Sequence, residues 1–363
     1  MKTSQSSLYP GTSSRLRGPS RFTVIAFAGL QSIALCYGAE AEALKYTVTA
    51  LPLDTATSIN QHGGIVGTAL NSSGVEHATS FFKNITTDLG ALPDSSGNTA
   101  TSPSQASAIN KSGLIVGTSA TAAFTTHAVS FTASGVEDLG TLGGSNSSSA
   151  AVNDKGAIVG TSDTPANDGT QHAFLLSAGK FIDLGTFSGT GSSQATGINK
   201  SGVIVGQSDT ATGDSHAFIT KKNMLVDVGT LGGSTSLATG VNQSRVAVGF
   251  SFLAGDLVFH AFLYFQSHLY DIDAQDPGNS TANAINDRGQ IVGQTNIGGT
   301  GNTSAFLYFS GRLVDLNTLI DPTLGLTLIN ATAINEKGQI LCEAMQNSTG
   351  TFGTVLLTPP EDD

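Results

Sequence analysis

The sequence contains no tryptophan and only two cysteines, Cys36 and Cys342. Cys36 lies in an N-terminal segment that is expected to be removed, so Cys342 would have no disulfide partner in the exported chain. No hydrophobic tail or anchoring motif follows Leu357. The sequence also has no nucleophile elbow, phosphate-binding loop or Cys/His metal cluster. Stability must therefore come from packing and strand closure, and no cofactor is expected.

Charged residues are scarce as well, at 12% of the 363 positions, whereas hydrophobic residues make up 39% and glycine occurs 44 times. This composition excludes the membrane, collagen-like and disordered classes. The apolar residues suffice for a core, and the glycines indicate many tight turns. Length alone suggests two domains, but all-β proteins of this size often form one. Because the chain repeats continuously, we predict a single domain over residues 42–358.

The first 41 residues do not belong to the repeat. Basic residues precede an apolar run over positions 22–35, and small residues follow at Gly38, Ala39, Ala41 and Ala43. This order is typical of a secretory signal peptide, and the apolar run is short for a membrane span. We predict a signal peptide over residues 1–41 with cleavage after Ala41 or Ala43; an uncleaved anchor is the alternative. Residues 359–363 are predicted to form an acidic tail.

The charge balance limits the partners. The chain has 16 basic and 27 acidic residues, a net charge of −11. Removal of residues 1–41 takes away four basic residues and one acidic residue, which leaves a net charge of about −14. A surface this acidic repels phosphate backbones. We therefore predict an extracellular or periplasmic monomer that binds no nucleic acid and, after cleavage, contacts no membrane.

Seven copies of one pattern follow each other along the chain. Residues 195–234 show it as A-T-G-I-N-K-S-G-V-I-V-G-Q-S, a short polar loop, and then H-A-F-I-T-K-K-N-M-L-V-D-V-G-T-L-G-G-S. The asparagine that ends the first apolar run recurs every 43 to 50 residues, at Asn60, Asn110, Asn153, Asn199, Asn242, Asn286 and Asn335. Self-similarity at this period indicates one supersecondary unit that is stacked many times.

The first half of each copy is predicted to be a β-hairpin. Its turn has the sequence Asn-x-x-Gly, as at Asn199 and Gly202, which suits a type I turn followed by a left-handed residue. In the fifth copy Arg245 stands at the glycine position. A non-glycine residue is strained there, so this hairpin is expected to be less stable.

The second half of each copy is predicted to be another hairpin. The interval from the histidine to the aspartate of D-L-G is constant in five copies, and Ser304 and Asp315 keep it in the sixth. A constant interval across variable sequence indicates a fixed strand register. In the third copy, a two-residue turn would pair Phe174 with Asp183 and place His172 diagonally from that aspartate on the same face.

Four antiparallel strands in each of seven copies of about 45 residues predict an all-β fold, a seven-bladed β-propeller, in which radial repetition protects the strand edges. The seventh copy supplies only three strands, over residues 331–334, 339–343 and 352–358. Residues 46–51 resemble a fourth strand, and their pairing with the seventh copy would close the ring. A long solenoid or stacked sheet is the alternative.

The recurring strings I-N-x-x-G-x-I-V-G, H-A-F and D-L-G-T-L-G-G resemble the HAF-repeat family of predicted extracellular bacterial proteins. The tripeptide occurs at His172-Ala173-Phe174, His216-Ala217-Phe218 and His260-Ala261-Phe262. The resemblance covers about residues 45–358 and implies an exported repeat protein, without an activity or ligand to transfer. The chain departs from the pattern at Arg245, at Ser304 in place of histidine and at Cys342 in place of glycine.

The repeated histidine and aspartate are the first candidate site residues. They are His77, His127, His172, His216 and His260, with Asp88, Asp138, Asp183, Asp227, Asp271 and Asp315. His/Asp pairs can transfer protons or bind metals, but one pair per blade lies roughly 20 Å from its counterpart across a ring. We predict that each pair is hydrogen-bonded within its own blade and has a structural role. Metal ligation is the alternative.

Two acidic loops are the second candidate. Asp163 and Asp168 bracket one loop, and Asp209 and Asp214 bracket the matching loop of the next copy. Oxygen-rich loops can hold Ca²⁺, but these lack the spacing of established calcium loops. Solvated turns are therefore favoured over a calcium site.

Loop length is the better functional clue. The Asn-x-x-Gly turn is constant, whereas the loop before the histidine and the connection between copies vary. In an up-and-down blade both variable connections emerge on the same side, where binding residues often lie over a rigid scaffold. Any binding residues are therefore expected on that side, especially on the two longest connections, residues 93–104 and 319–328, but tolerated surface insertions are the favoured explanation of their length.

These observations predict an exported, non-catalytic repeat protein that serves as a binding or surface scaffold module for a carbohydrate or an extracellular protein. The alternative is a secreted polysaccharide-acting enzyme with carboxylates such as Asp209, Asp214, Asp256 and Asp276 at the ring mouth. For glycoside chemistry two of them would have to stand about 5–10 Å apart.

Overall fold

The computed structural model describes residues 45–165, 169–296 and 303–360. The predicted signal peptide with both cleavage positions, Cys36, Asp168 and the last three residues of the predicted acidic tail lie outside these ranges. Within them every regular element is a β-strand, apart from two 3-10 helices at Leu316–Leu319 and Pro322–Leu324. No helix in the described ranges has the length and apolar character needed to cross a membrane.

The strands occur in seven consecutive sets, preceded by β1 (Thr47–Ala50). The first set is β2 (Thr55–Ile59), β3 (Ile65–Leu70), β4 (Glu76–Phe82) and β5 (Ile85–Gly90). The second is β6 (Ser104–Ile109), β7 (Ile115–Ala120), β8 (Thr126–Thr132) and β9 (Gly135–Gly140). The third is β10 (Ser147–Val152), β11 (Ile158–Asp163), β12 (Gln171–Ser177) and β13 (Lys180–Asp183). The fourth is β14 (Ser193–Ile198), β15 (Ile204–Asp209), β16 (Ser215–Lys221) and β17 (Met224–Gly229). The fifth is β18 (Gly232–Val241), β19 (Ala247–Leu253), β20 (Phe259–Phe265) and β21 (His268–Asp271). The sixth is β22 (Ser280–Ile285), β23 (Ile291–Thr295), β24 (Ser304–Phe309) and β25 (Arg312–Asp315). The seventh is β26 (Leu326–Ile334), β27 (Ile340–Gln346) and β28 (Phe352–Thr358).

Each set is an antiparallel meander in chain order. The fourth and fifth sets are joined into one eight-stranded sheet through a parallel pairing of Ser215 with Thr235, and the other sets form separate four-stranded sheets. β1 pairs antiparallel with β28, which gives the last sheet the order β1-β28-β27-β26. The pairing predicted between the segment after residue 45 and the seventh copy is therefore present.

The backbone conformations of the hairpin turns agree with those predicted from the sequence. The glycines of the Asn-x-x-Gly turns have positive φ, and Arg245 adopts the same left-handed conformation with φ 63. In the third copy, Ala178 and Gly179 both have positive φ, and their turn pairs Phe174 with Asp183 as predicted. Positive φ at both central residues matches the right-handed twist of the flanking strands.

A β-bulge occurs at one place in the first strand of every set. In the fourth set the register shifts between Ala195 and Gly197, where the extra residue is Thr196. Directly opposite lies the glycine of I-V-G, Gly206, and a Cβ added there would overlap the carbonyl oxygen of Gln194. The two strands therefore approach more closely than any other residue permits.

The seventh set differs at this place because Cys342 replaces the glycine. Its first strand, β26, contains a second register shift, between Leu328 and Asn330, and begins five residues before the predicted start at 331. Part of the candidate binding connection over 319–328 is therefore strand. The preceding residues Leu316 and Ile320 are buried in the core next to the seventh sheet.

The core lies between neighbouring sheets. The alanine and phenylalanine of H-A-F are fully buried in the third to fifth sets, and Ala305 and Phe306 are fully buried in the sixth. Val66 of the first set packs with Val129 of the second, and Ile59 of the first set packs with Leu341 of the seventh. Burial of apolar surface contributes about 25 cal/mol per Å² to stability. A single four-stranded sheet buries little such surface by itself, so its stability depends on packing against its neighbours.

Candidate functional site

A cycle of side-chain hydrogen bonds joins the seven repeated asparagines. All seven are buried. Each side-chain amide donates to the backbone carbonyl of the asparagine in the next copy, over 2.9–3.2 Å: Asn60 to Asn110, Asn110 to Asn153, Asn153 to Asn199, Asn199 to Asn242, Asn242 to Asn286, Asn286 to Asn335 and Asn335 to Asn60. The side-chain oxygen of each accepts backbone N–H groups of its own turn, as Asn199 does from Ser201 and Val203. One residue type thus fixes both the turn and the neighbouring copy.

Six of the seven asparagines, all except Asn286, and the residue that follows each of the seven line a cavity of about 190 Å³, here called the central cavity. Lys200 in its wall forms an ion pair with Asp287, with 3.1 Å between Nζ and Oδ2. Asp287 donates its backbone N–H to the carboxylate of Glu336. This ion pair bridges the fourth and sixth copies and skips the fifth.

The electrostatics of the central cavity follow from these contacts. Burial lowers the pKa of Lys200, but the hydrogen bond and charge of Asp287, with Glu336 and Asp154, outweigh it and leave the pKa above its usual range. Burial and the neighbouring Asp287 carboxylate raise the pKa of Glu336. The Lys200–Asp287 pair is therefore mutually stabilised, whereas the ionised form of Glu336 is disfavoured beside Asp287.

The predicted His–Asp pairs are present in all five copies. The Nδ1 to carboxylate distances are 2.8–3.0 Å for His77–Asp88, His127–Asp138, His172–Asp183, His216–Asp227 and His260–Asp271. Four of the aspartates also accept the N–H of the glycine two residues on, as Asp183 does from Gly185. Asp315 has Ser304 in place of a histidine partner and instead accepts the N–H of Asn317 at the start of a 3-10 helix.

The five histidines differ in their surroundings. His77 and His260 are buried, whereas the side chains of His127, His172 and His216 are about one-fifth exposed. Nε2 of His77 lies 3.1 Å from the amide of Asn71. Nε2 of His260 is buried without a hydrogen-bond partner. A nearby buried carboxyl, Asp273, replaces the glycine of D-L-G; burial raises its pKa, and it accepts the Thr295 hydroxyl.

The carboxylates of the enzyme alternative accept hydrogen bonds from nearby turns and connections. Asp209 accepts the N–H of Ser192 and the hydroxyl of Ser215, and Asp214 accepts the hydroxyl of Thr212. Asp256 accepts the N–H of Ser234, and Asp276 accepts the N–H of Gly278. None of the four lines the central cavity.

The first acidic loop is only partly described, since Asp168 lies outside the described residues. Its other end, Asp163, accepts the N–H and side-chain amide of Asn146 and the amide of Gln171. Burial opposes ionisation of Asp163, but these hydrogen bonds outweigh it and lower its pKa. In residues 45–165, 169–296 and 303–360, no group of three or more His, Cys, Asp or Glu side chains is arranged to hold a metal ion.

The turn between the second and third strands of a copy carries the most exposed apolar side chains of the described residues. Phe124 and Leu257 are 93% and 89% exposed and lie in this turn in the second and fifth copies, and Phe352, 74% exposed, is the first residue after it in the seventh. Phe124 also has φ 59, a left-handed conformation that costs a non-glycine residue roughly 1–2 kcal/mol. The equivalent turns have glycine there, at Gly74 and Gly213, both with positive φ.

A second cavity, of about 500 Å³, opens beside Phe124 and is here called the turn pocket. It is lined by both neighbours of Phe124, by four other residues of the second copy, and by the connections on either side: Leu92, Pro93, Thr121, Ala122, Ala123, Thr125, His127, Asp138, Gly144 and Ser145. One of the two candidate binding connections, residues 93–104, thus contributes its first residue to a cavity.

Comparison with known proteins supports the fold. No protein-family model matches the chain, and no curated protein matches it. The β-propeller domain of the Trilobed protease from Pyrococcus furiosus, whose structure is described as revealing an open Velcro topology, has a TM-score of 0.51 at 9% identity, over 89% of this chain and 96% of that chain. The chain has a β-propeller fold. TolB from Acinetobacter baumannii is less similar, with a TM-score of 0.38 at 12% identity, over 83% of this chain and 64% of that chain.

Two features of the propeller were not predicted from the sequence. The sequence marks the asparagines as turn residues but does not show which carbonyl receives each amide. Phe124 was also missed, although a signal was available. An alignment of the turns between the second and third strands would have placed this bulky residue at the position of Gly74 and Gly213.

Proposed function

We propose that the chain forms a closed seven-bladed β-propeller, exported through its N-terminal segment, that acts as a non-catalytic binding or scaffold module. The hydrogen bond from Asn335 to Asn60 and the pairing of β1 with β28 support closure. Closure leaves no unpaired sheet edge at the junction of the two ends. The repeated strings support membership among HAF-repeat proteins and export.

The binding role is carried by one observation: the most exposed apolar side chains described, Phe124, Leu257 and Phe352, lie in or directly after the turn between the second and third strands. In a closed propeller these turns and the connections between copies emerge on one face. Binding residues are often carried on such loops over a rigid scaffold. The partner proposed for this face is a carbohydrate or an extracellular protein.

A triple variant tests the binding role. Phe124→Ser, Leu257→Ser and Phe352→Ser together are expected to leave the circular dichroism spectrum and the unfolding midpoint unchanged, because none of the three side chains is buried. The same variant is expected to lose binding on a glycan array and in capture of extracellular proteins. Equal binding by the variant and the parent protein would contradict the proposal.

A separate measurement tests the non-catalytic part. The protein is expected to release no reducing sugar from soluble polysaccharides. Hydrolysis that Asp209→Asn or Asp276→Asn abolished would instead support a secreted polysaccharide-acting enzyme. Asp154→Asn, in the central cavity, is the control for a general effect of removing a carboxylate.

A further inference from the structure

The turn pocket is lined by both apolar and hydrogen-bonding residues. Leu92, Pro93, Ala122 and Ala123 supply the apolar surface. The volume of about 500 Å³ falls within the roughly 300–1,000 Å³ of small-molecule sites. Pockets of this kind bind ligands through apolar contact and use a few placed polar groups for orientation.

The polar groups of the pocket are already oriented. Nδ1 of His127 lies 2.8 Å from Asp138, so in the neutral imidazole Nδ1 carries the proton and Nε2 is left as an acceptor. Thr121 and Thr125 are hydrogen-bonded to each other over 2.7 Å, with either hydroxyl as donor. The pocket therefore offers acceptors and hydroxyls without a fixed cationic group among its lining residues.

Phe124 stands between two lining residues, Ala123 and Thr125, and is almost fully exposed in a left-handed conformation. The turn requires the left-handed conformation, which Gly74 and Gly213 share, but it does not require an aromatic side chain there. The exposed ring adds nothing to the core. It offers a flat apolar face, with partial negative charge above it, at a position adjacent in sequence to two lining residues.

One ligand class matches this combination. A pyranose ring has an apolar face of C–H groups and a perimeter of hydroxyls, which fit an aromatic ring and a wall of acceptors and hydroxyls, respectively. The Asp138 carboxylate in the wall and the net charge of −11 disfavour an anionic ligand. We propose that the turn pocket binds a pyranose unit of an uncharged glycan, with Phe124 against its C–H face and His127 as a hydrogen-bond partner. This inference rests on the proposed binding function.

The test compares two histidine variants that each lose a hydrogen bond of the same kind, from the imidazole to the aspartate of the same copy. His127→Gln and His172→Gln each remove a His–Asp pair of similar exposure, 22% and 19% of the side chain, but only His127 lines the turn pocket. Binding of cellotetraose, chitotetraose and maltotetraose to the purified protein is measured by saturation-transfer-difference NMR and titration calorimetry. We expect the parent protein to bind at least one of them, His127→Gln to weaken that binding at least threefold, and His172→Gln to leave it unchanged.

Phe124→Gly separates binding from folding. It is expected to weaken binding of the same oligosaccharide about tenfold while the unfolding midpoint stays the same or rises, because glycine is unstrained at positive φ. Met224→Ala, at an exposed apolar residue of an outer strand, is expected to change neither. Binding that survives Phe124→Gly, or falls equally in His172→Gln, overturns the assignment.

The failure of this inference is distinguishable from failure of the proposed function. If none of the three oligosaccharides binds, the glycan assignment of the turn pocket is wrong. If an extracellular protein is nevertheless captured by the parent protein and lost in the triple variant, the binding role stands with a protein as its partner. If neither class binds, both proposals are wrong.

Discussion

The side-chain amide of Asn335 donates to the backbone carbonyl of Asn60 over 3.1 Å, although 275 residues separate them. The same bond links Asn199 to Asn242 between adjacent copies. Asn335 therefore makes, across the two ends of the repeat, the contact that the other asparagines make between neighbours. A bond repeated with this constancy gives each copy the same position relative to the next one.

Asn335→Ala tests closure. The substitution removes the side-chain donor to the buried Asn60 carbonyl, which keeps only the N–H of Gly63, and removes the acceptor of the Gln339 N–H. We expect it to lower the free energy of unfolding by about 2–4 kcal/mol. Asn199→Ala removes the equivalent bonds inside the repeat, apart from the additional bond of Asn335 to the Gln339 side chain, and is expected to cost the same within about 1 kcal/mol. Urea denaturation followed by circular dichroism measures both. A much smaller loss for Asn335→Ala would show that the two ends do not meet in solution.

The close approach of the first two strands predicts that alanine substitutions at two glycines of the same copy differ strongly in their effect on stability. Gly206→Ala places a Cβ into the backbone of Gln194, and we expect it to destabilise by at least about 4 kcal/mol or to prevent folding. Gly213→Ala, in the exposed turn of the same copy, meets nothing within 4 Å and bears only the cost of its φ of 90, about 1 kcal/mol. Soluble yield and urea midpoints compare the two. Equal stability of the two variants would contradict the tight strand pairing.

The sequence was informative where structure depends on local turn chemistry. The Asn-x-x-Gly turns, the left-handed Arg245 and the pairing of Phe174 with Asp183 follow from residue types within a few positions of each other. The Asn335–Asn60 bond could not be predicted, because its acceptor is chosen by the packing of copies far apart in the chain. The exposure of Phe124 is likewise a property of the folded surface.

The long connections show the same limit. Both were candidate binding loops because of their length, with tolerated surface insertions as the favoured explanation. Within residues 319–328, Ile320 and Leu328 are buried in the core next to the seventh sheet and residues 326–328 begin β26, whereas residues 321–324 are exposed. Loop length alone does not reveal whether an insertion stays at the surface or joins the core.

The left-handed conformation of Arg245 predicts which of two variants is more stable. Both Arg245→Gly and Arg245→Ala remove the hydrogen bond from the guanidinium to the Thr220 carbonyl. Only glycine also relieves the strain at φ 63, so Arg245→Gly is expected to be more stable than Arg245→Ala by about 1 kcal/mol. Thermal and urea denaturation measure the free energy of unfolding of both variants. Because both lack the same hydrogen bond, the difference between them reports the backbone strain alone. A more stable alanine variant would mean that the turn relaxes to another conformation.

Tyr46, next to the β1–β28 pairing, predicts a stability change in alkali. Burial, with a smaller contribution from Cys342, raises the pKa of Tyr46 from 10.0 to about 12. A folded-state pKa above the unfolded value contributes stability below pH 10 that is lost as the pH rises towards 12, in total about 3 kcal/mol. Tyr46→Phe cannot ionise and is expected to keep this stability, whereas Tyr270→Phe, at a partly exposed tyrosine, is expected to follow the parent protein. Urea midpoints at pH 8, 10, 11 and 11.5 test this, and parallel losses in the parent and Tyr46→Phe would show that the side chain is not buried against the last sheet.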